Sequence, residues 1–98
     1  MVIVKILPVS GDTPVGKLAD AELHFRIGPL EGFKLIGFAV WEHPNGVDLT
    51  VSFPARSFEV SGERRHINLL RPVNEGASWK AVRELILDAF AAYETTCL

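Results

Sequence analysis

The chain has 98 residues, 48% of them hydrophobic and 22% charged, with a formal net charge of −2. That length holds one domain with a single core, 1–98, and the composition is that of a globular chain. A negative balance excludes a protein that coats nucleic acid or anionic membrane through bulk positive charge, so any anion site must be local.

Val2 to Leu7 is a β-branched run broken by Lys5 and stopped by Pro8, and it predicts a strand. Turn chemistry follows in Ser10-Gly11-Asp12-Thr13-Pro14. From Leu18 to Ile27 the pattern alternates: Ala19, Ala21, Leu23, Phe25 and Ile27 against Asp20, Glu22, His24 and Arg26. This predicts a half-buried strand with one wet face.

After the turn Gly28 to Gly32, Phe33 to Trp41 is apolar on both faces, with Ile36, Phe38 and Val40 on one side and Leu35, Ala39 and Trp41 on the other. Asn45-Gly46 tolerates the positive φ of a tight hairpin, and Val47 to Phe53 alternates as its return strand. Arg56 to Val60 reads as a short arm, Ser61-Gly62 as a turn and Arg65 to Leu70 as a last strand.

Beyond the turn Asn74-Glu75-Gly76 the period changes to 3.6. Trp79, Val82, Leu85, Ile86, Ala89, Phe90 and Tyr93 form one stripe, with Ser78 as N-cap and Leu87 on the outward side. The expected fold is therefore α+β: an antiparallel sheet of about four to five strands packed by one C-terminal amphipathic helix.

One helix about 10 Å wide covers two to three strands spaced roughly 4.8 Å apart. Apolar sheet surface is then left over, and a homodimer is the expected way to bury it. Leu35, Trp41 and Leu87 are the expected dimer or partner contacts.

Catalytic and metal motifs are missing: the three histidines have no convergent partners in sequence, and no nucleophile elbow, phosphate-binding Gly-rich loop or dinucleotide fingerprint occurs. The expectation is a protein that is not an enzyme, with no cofactor, no metal and no evident small-molecule substrate. The lone Cys97 forms no internal disulfide, and no stretch approaches the roughly 18 apolar residues of a membrane span. With no secretory pattern in Met-Val-Ile-Val-Lys, a cytoplasmic location is expected.

Charge is unevenly placed. Pro54 to Val73 holds Arg56, Arg64, Arg65 and Arg71 against Glu59 and Glu63, a local +2, leaving −4 for the rest. The planar arginine fork suits phosphate, and a protonated His66 would add a further cation. Arg56, Arg64, Arg65, His66 and Arg71 are thus the candidate nucleic-acid contacts. The competing reading is a solvated rim in which the arginines pair with Glu59, Glu63 and Glu75. The helix's outward face carries Lys80, Arg83, Glu84 and Asp88, whose charges cancel, so it makes a poor groove reader.

The order of these motifs resembles the SpoVG family (stage V sporulation protein G, or septation protein) from about Val4 to Tyr93. Gly16-Lys17-Leu18 resembles the entry to its second strand. Phe33 to Val40 resembles its Phe-rich central strand, and Asn45-Gly46 its hairpin. Phe53-Pro54-Ala55-Arg56 is similar to a Pro-Ser-Lys-Arg strand end, and Gly62-Glu63-Arg64-Arg65-His66-Ile67 to a Gly-Glu-Phe-Arg-Asp-Ile segment. Pro72-Val73-Asn74 resembles a Pro-Ile-Asn lead-in, and Val82 to Phe90 the terminal helix.

The resemblance implies a small bacterial regulator, dimeric through its sheet, that binds DNA or RNA without catalysis. It places Arg56 at the basic strand end and Arg65 at the arginine of the Gly-Glu-x-Arg segment. Here Ala55 and Ser57 replace a serine and a basic residue, and two extra residues precede Pro72. The alternative function is a protein–protein interaction module without nucleic-acid binding.

Overall fold

The computed structural model describes residues 2–9, 11–74 and 78–96. Strands β1 (Val2–Pro8), β2 (Lys17–Phe25), β3 (Lys34–Glu42) and β4 (Leu49–Ser52) form one antiparallel sheet in the order β1-β2-β3-β4. A 3-10 turn, Gly28–Leu30, links β2 to β3. Strands β5 (Ala55–Val60) and β6 (Glu63–Asn68) pair only with each other as a second, two-stranded sheet. Helix α1 (Trp79–Thr96) follows. The class is the expected α+β, but the last predicted strand joins the arm before it and not the main sheet.

Two irregularities decide which side chains reach the core. Lys17 pairs with Trp41 while Ala19 pairs with Val40, so Leu18 is an extra residue in β2. Ala21 pairs with Phe38 while Leu23 pairs with Leu35, so β3 gains one residue at Ile36-Gly37. One extra residue inverts the alternation beyond it. Phe38 and Val40 stay in the core, Ile36 is turned out at 58% exposure, and Leu35 is turned in against the core cluster. Leu35 is therefore a core residue and not the surface contact that regular alternation predicts.

Gly37 is what permits this bulge. Its φ is +107°, and a Cβ built on it would sit 2.8 Å from Cβ of Pro54, closer than two carbons approach. Gly37→Ala is expected to cost about 1–3 kcal/mol through combined strain and overlap. A urea melt checks this; a midpoint equal to the wild type would show that the bulge relaxes freely.

Ala19, Ala21, Leu23, Phe38, Val40, Ile86 and Phe90 form the buried centre. Helix α1 makes its main contacts with β1 and β4, the two edge strands, so it crosses the width of the sheet and does not cover only two or three strands. The small Ala19 and Ala21 on the central strand leave room beneath it. Phe53 stands edge-on to Phe38 at 5.4 Å and to Trp79 at 5.1 Å, joining β3 to the start of the helix.

Ser78 caps α1 as expected, its Oγ accepting from the N–H groups of Lys80 (3.1 Å) and Ala81 (3.4 Å). Val82, Ile86, Phe90 and Tyr93 face the core. Leu87 does too, partly buried, whereas Leu85 is 43% exposed. The expected outward position of Leu87 is thus corrected. Both leucines lie about 100° from Ile86 on either side, and the sheet covers only one flank.

The Asn45 side chain builds its turn: Oδ1 accepts from the N–H groups of Val47 (2.8 Å) and Asp48 (3.1 Å), and Gly46 has φ +74°. Val47, 82% exposed, belongs to this turn and not to β4. Ile27, expected on the core face, is likewise exposed, because β2 ends at Phe25. Glu75, Gly76 and Cys97 lie outside the described residues.

Candidate nucleic-acid interface

The β5–β6 ribbon holds four of the five candidate residues. Pro54, buried beside Gly37, and Leu69, whose N–H donates to the Pro54 carbonyl at 2.9 Å, mark its base. Its tip is the two-residue turn Ser61-Gly62, both with positive φ (54° and 82°), the geometry of a twisted hairpin turn. Every residue of both strands is exposed.

The pairing register sorts the side chains. Arg56 lies opposite Ile67, Phe58 opposite Arg65, and Val60 opposite Glu63, and these six share one face. Ser57 opposite His66 and Glu59 opposite Arg64 lie on the other. The cluster is thus divided, with Arg56 and Arg65 on the apolar face and Arg64 and His66 on the polar face.

Arg71 stands apart. It lies beyond β6, beside a cleft of about 350 Å³ with Leu70, Pro72, Trp79 and Val82. The arginines do not gather on one face of the chain.

Their partners are few. Arg65 reaches Glu63 at 3.5 Å across two exposed side chains, an ion pair of little weight. Among the described residues no carboxylate lies within ion-pair distance of Arg56, Arg64 or Arg71. Ser57 Oγ and His66 Nδ1 share a hydrogen bond at 3.1 Å, which orients the imidazole along the polar face. Phe58 and Ile67, each 38% exposed, give the other face an apolar centre flanked by guanidinium groups.

Of the expected dimer contacts, Trp41 alone keeps its place on the face away from the helix. It is partly buried, and its Nε1 donates to Ser52 Oγ at 2.8 Å.

A further group on that face is visible only through the strand register. Glu22, its side chain 13% exposed, accepts from His24 Nε2 at 3.0 Å and Lys34 Nζ at 3.3 Å. The His24 hydrogen bond, helped by Lys34 and opposed by partial burial, holds the Glu22 carboxyl below the usual carboxylate range. A depressed folded value contributes stability that is present above the unfolded value, about pH 4.3, and is lost as the pH falls through the folded one. Glu22→Gln is therefore expected to flatten the stability–pH curve below about pH 4.3, with denaturant midpoints as the readout. An unchanged acid limb would contradict the assignment.

Among the described residues no helix is long and apolar enough to cross a membrane, and no group of three or more His, Cys, Asp or Glu side chains is placed to hold a metal ion. No protein-family model, curated protein or solved structure matches the chain.

Proposed function

We propose that the protein is a small, non-catalytic, homodimeric bacterial regulator that binds DNA or RNA through the β5–β6 ribbon. The carrying observation is the ribbon itself: twelve exposed strand residues with arginines on both faces, Arg56 and Arg64 having no carboxylate within ion-pair distance among the described residues, and Phe58 next to Arg56 and Arg65. A two-stranded ribbon fits the duplex major groove, roughly 12 Å wide, where one face meets base edges and arginines at either side reach the phosphate walls. Division of the arginines between two faces suits insertion into a groove better than contact with a flat surface.

The homodimer and the cytoplasmic setting belong to the same reading. A second copy would pack on the face of the main sheet away from the helix, where Ile36 is 58% exposed. The resemblance to the SpoVG family points the same way. Gel shifts at low salt on single- and double-stranded DNA and RNA test the reading. Binding at low micromolar concentration or tighter is expected; none below tens of micromolar would discard it.

A second reading is favoured by the same apolar centre: the ribbon is a docking element for another protein. A partner captured at high salt and released by Phe58→Asp would support it, because apolar contacts survive screening and phosphate contacts do not.

A further inference from the structure

The face of the main sheet away from α1 carries cations that the ribbon does not use. A cleft of about 750 Å³ opens where β2 turns into β3, its lining including Ile3, His24, Arg26, Glu31, Phe33 and Lys34. The register assembles it. Ile3 lies opposite His24 and His24 opposite Lys34, so three strands bring these side chains into one row. The Gly28–Leu30 turn returns the chain so that the Phe33 carbonyl accepts from the Phe25 N–H at 3.0 Å. Phe33, opposite Phe25 at the strand end, also lines the cleft and is 66% exposed.

Lys34 is held in place. Lys34 Nζ lies 3.3 Å from both Glu22 oxygens, and His24 shares one of them, so a half-sunk carboxylate fixes two donors that would otherwise swing in solvent. Lys34 keeps donors to spare. Among the described residues no carboxylate lies within ion-pair distance of Arg26. A guanidinium, an anchored ammonium and an exposed aromatic residue lining one cleft match a phosphate joined to a flat ring.

We propose that this cleft binds a nucleotide, free or as one unit of a single strand. The base stacks on Phe33, the phosphate takes Arg26 and Lys34, and Glu31 accepts from an exocyclic amino group. Glu22 is a positioning residue. The site is separate from the ribbon, so neither proposal depends on the other.

NMR titration of the full chain with adenosine 5′-monophosphate, adenosine, ribose 5-phosphate and a short oligoadenylate tests this. The monophosphate should shift the amides of His24, Arg26, Phe33 and Lys34 saturably, with either half-molecule about tenfold weaker. Arg26→Ala and Phe33→Ala should each weaken it about fivefold. Glu22→Gln is the sharpest variant. Attraction by net charge alone predicts tighter binding once a carboxylate is removed, whereas positioning predicts weaker binding. An oligoadenylate that shifts these same four amides at lower concentration identifies a strand as the ligand, and one that shifts them at equal concentration a free nucleotide. No saturable shift at millimolar monophosphate, indifference to Phe33→Ala or tightening in Glu22→Gln would overturn the proposal.

Discussion

Phe38→Ala is expected to destabilise the protein by about 3–5 kcal/mol, a large share of the roughly 5–15 kcal/mol that holds a domain together. Phe38 is 1% exposed at the middle of the sheet and packs edge-on against Phe53, which packs on Trp79. Truncation opens a cavity in the small core cluster and removes the aromatic link between β3 and α1. Ile36→Ala, two positions along the same strand, is expected to stay within about 0.5 kcal/mol. Regular alternation would put both residues on one face and make both changes costly. Urea melts of the pair separate the bulged strand from a regular one; comparable losses at both positions would contradict the bulge.

The second large effect concerns binding. Arg56 and Arg65 share a face and lie on opposite strands, and among the described residues the pair makes one exposed ion pair, Arg65 with Glu63. Removing one phosphate-binding side chain should reduce the slope of log K against log salt by about 1, so Arg56→Ala with Arg65→Ala takes away about 2 per protomer. The drop in affinity should be uniform across sequences, since phosphate contacts carry no sequence information. Melting curves should barely move, because both side chains are exposed. A wild-type salt slope in the double variant would place binding elsewhere on the molecule.

Much of the fold was legible, for reasons that also mark where legibility stopped. A 3.6 period with a serine before it defines the helix start, and Ser78 makes the capping bonds that pattern implies. The helix runs on to Thr96, past its last core residue, Tyr93. No apolar period continues there; the hydroxyls of Thr95 and Thr96 instead donate to the carbonyls of Ala91 and Ala92. Leu85 and Leu87 are equivalent on a helical wheel, and only the docked sheet distinguishes them.

The bulges were not legible as register shifts, although Gly37 inside an apolar run was a sign of one. Missing that shift exchanged the faces of Leu35 and Ile36. The arginine group was legible as composition but not as a surface. Its division follows from the two-residue turn at Ser61-Gly62, which sets Arg64 opposite Glu59 and Arg65 opposite Phe58. The Glu22, His24 and Lys34 group needed the pairing of β2 with β3, because twelve residues of sequence separate Glu22 from Lys34.

The most direct test of the ribbon as the nucleic-acid interface is an amide shift map of the isotope-labelled chain with a short duplex at low salt. The expected result is perturbation across Ala55–Val60 and Glu63–Asn68, with the outward residues Lys80, Arg83, Glu84 and Asp88 of α1 unmoved. Shifts centred on α1, or a spectrum that duplex leaves unchanged, would contradict it.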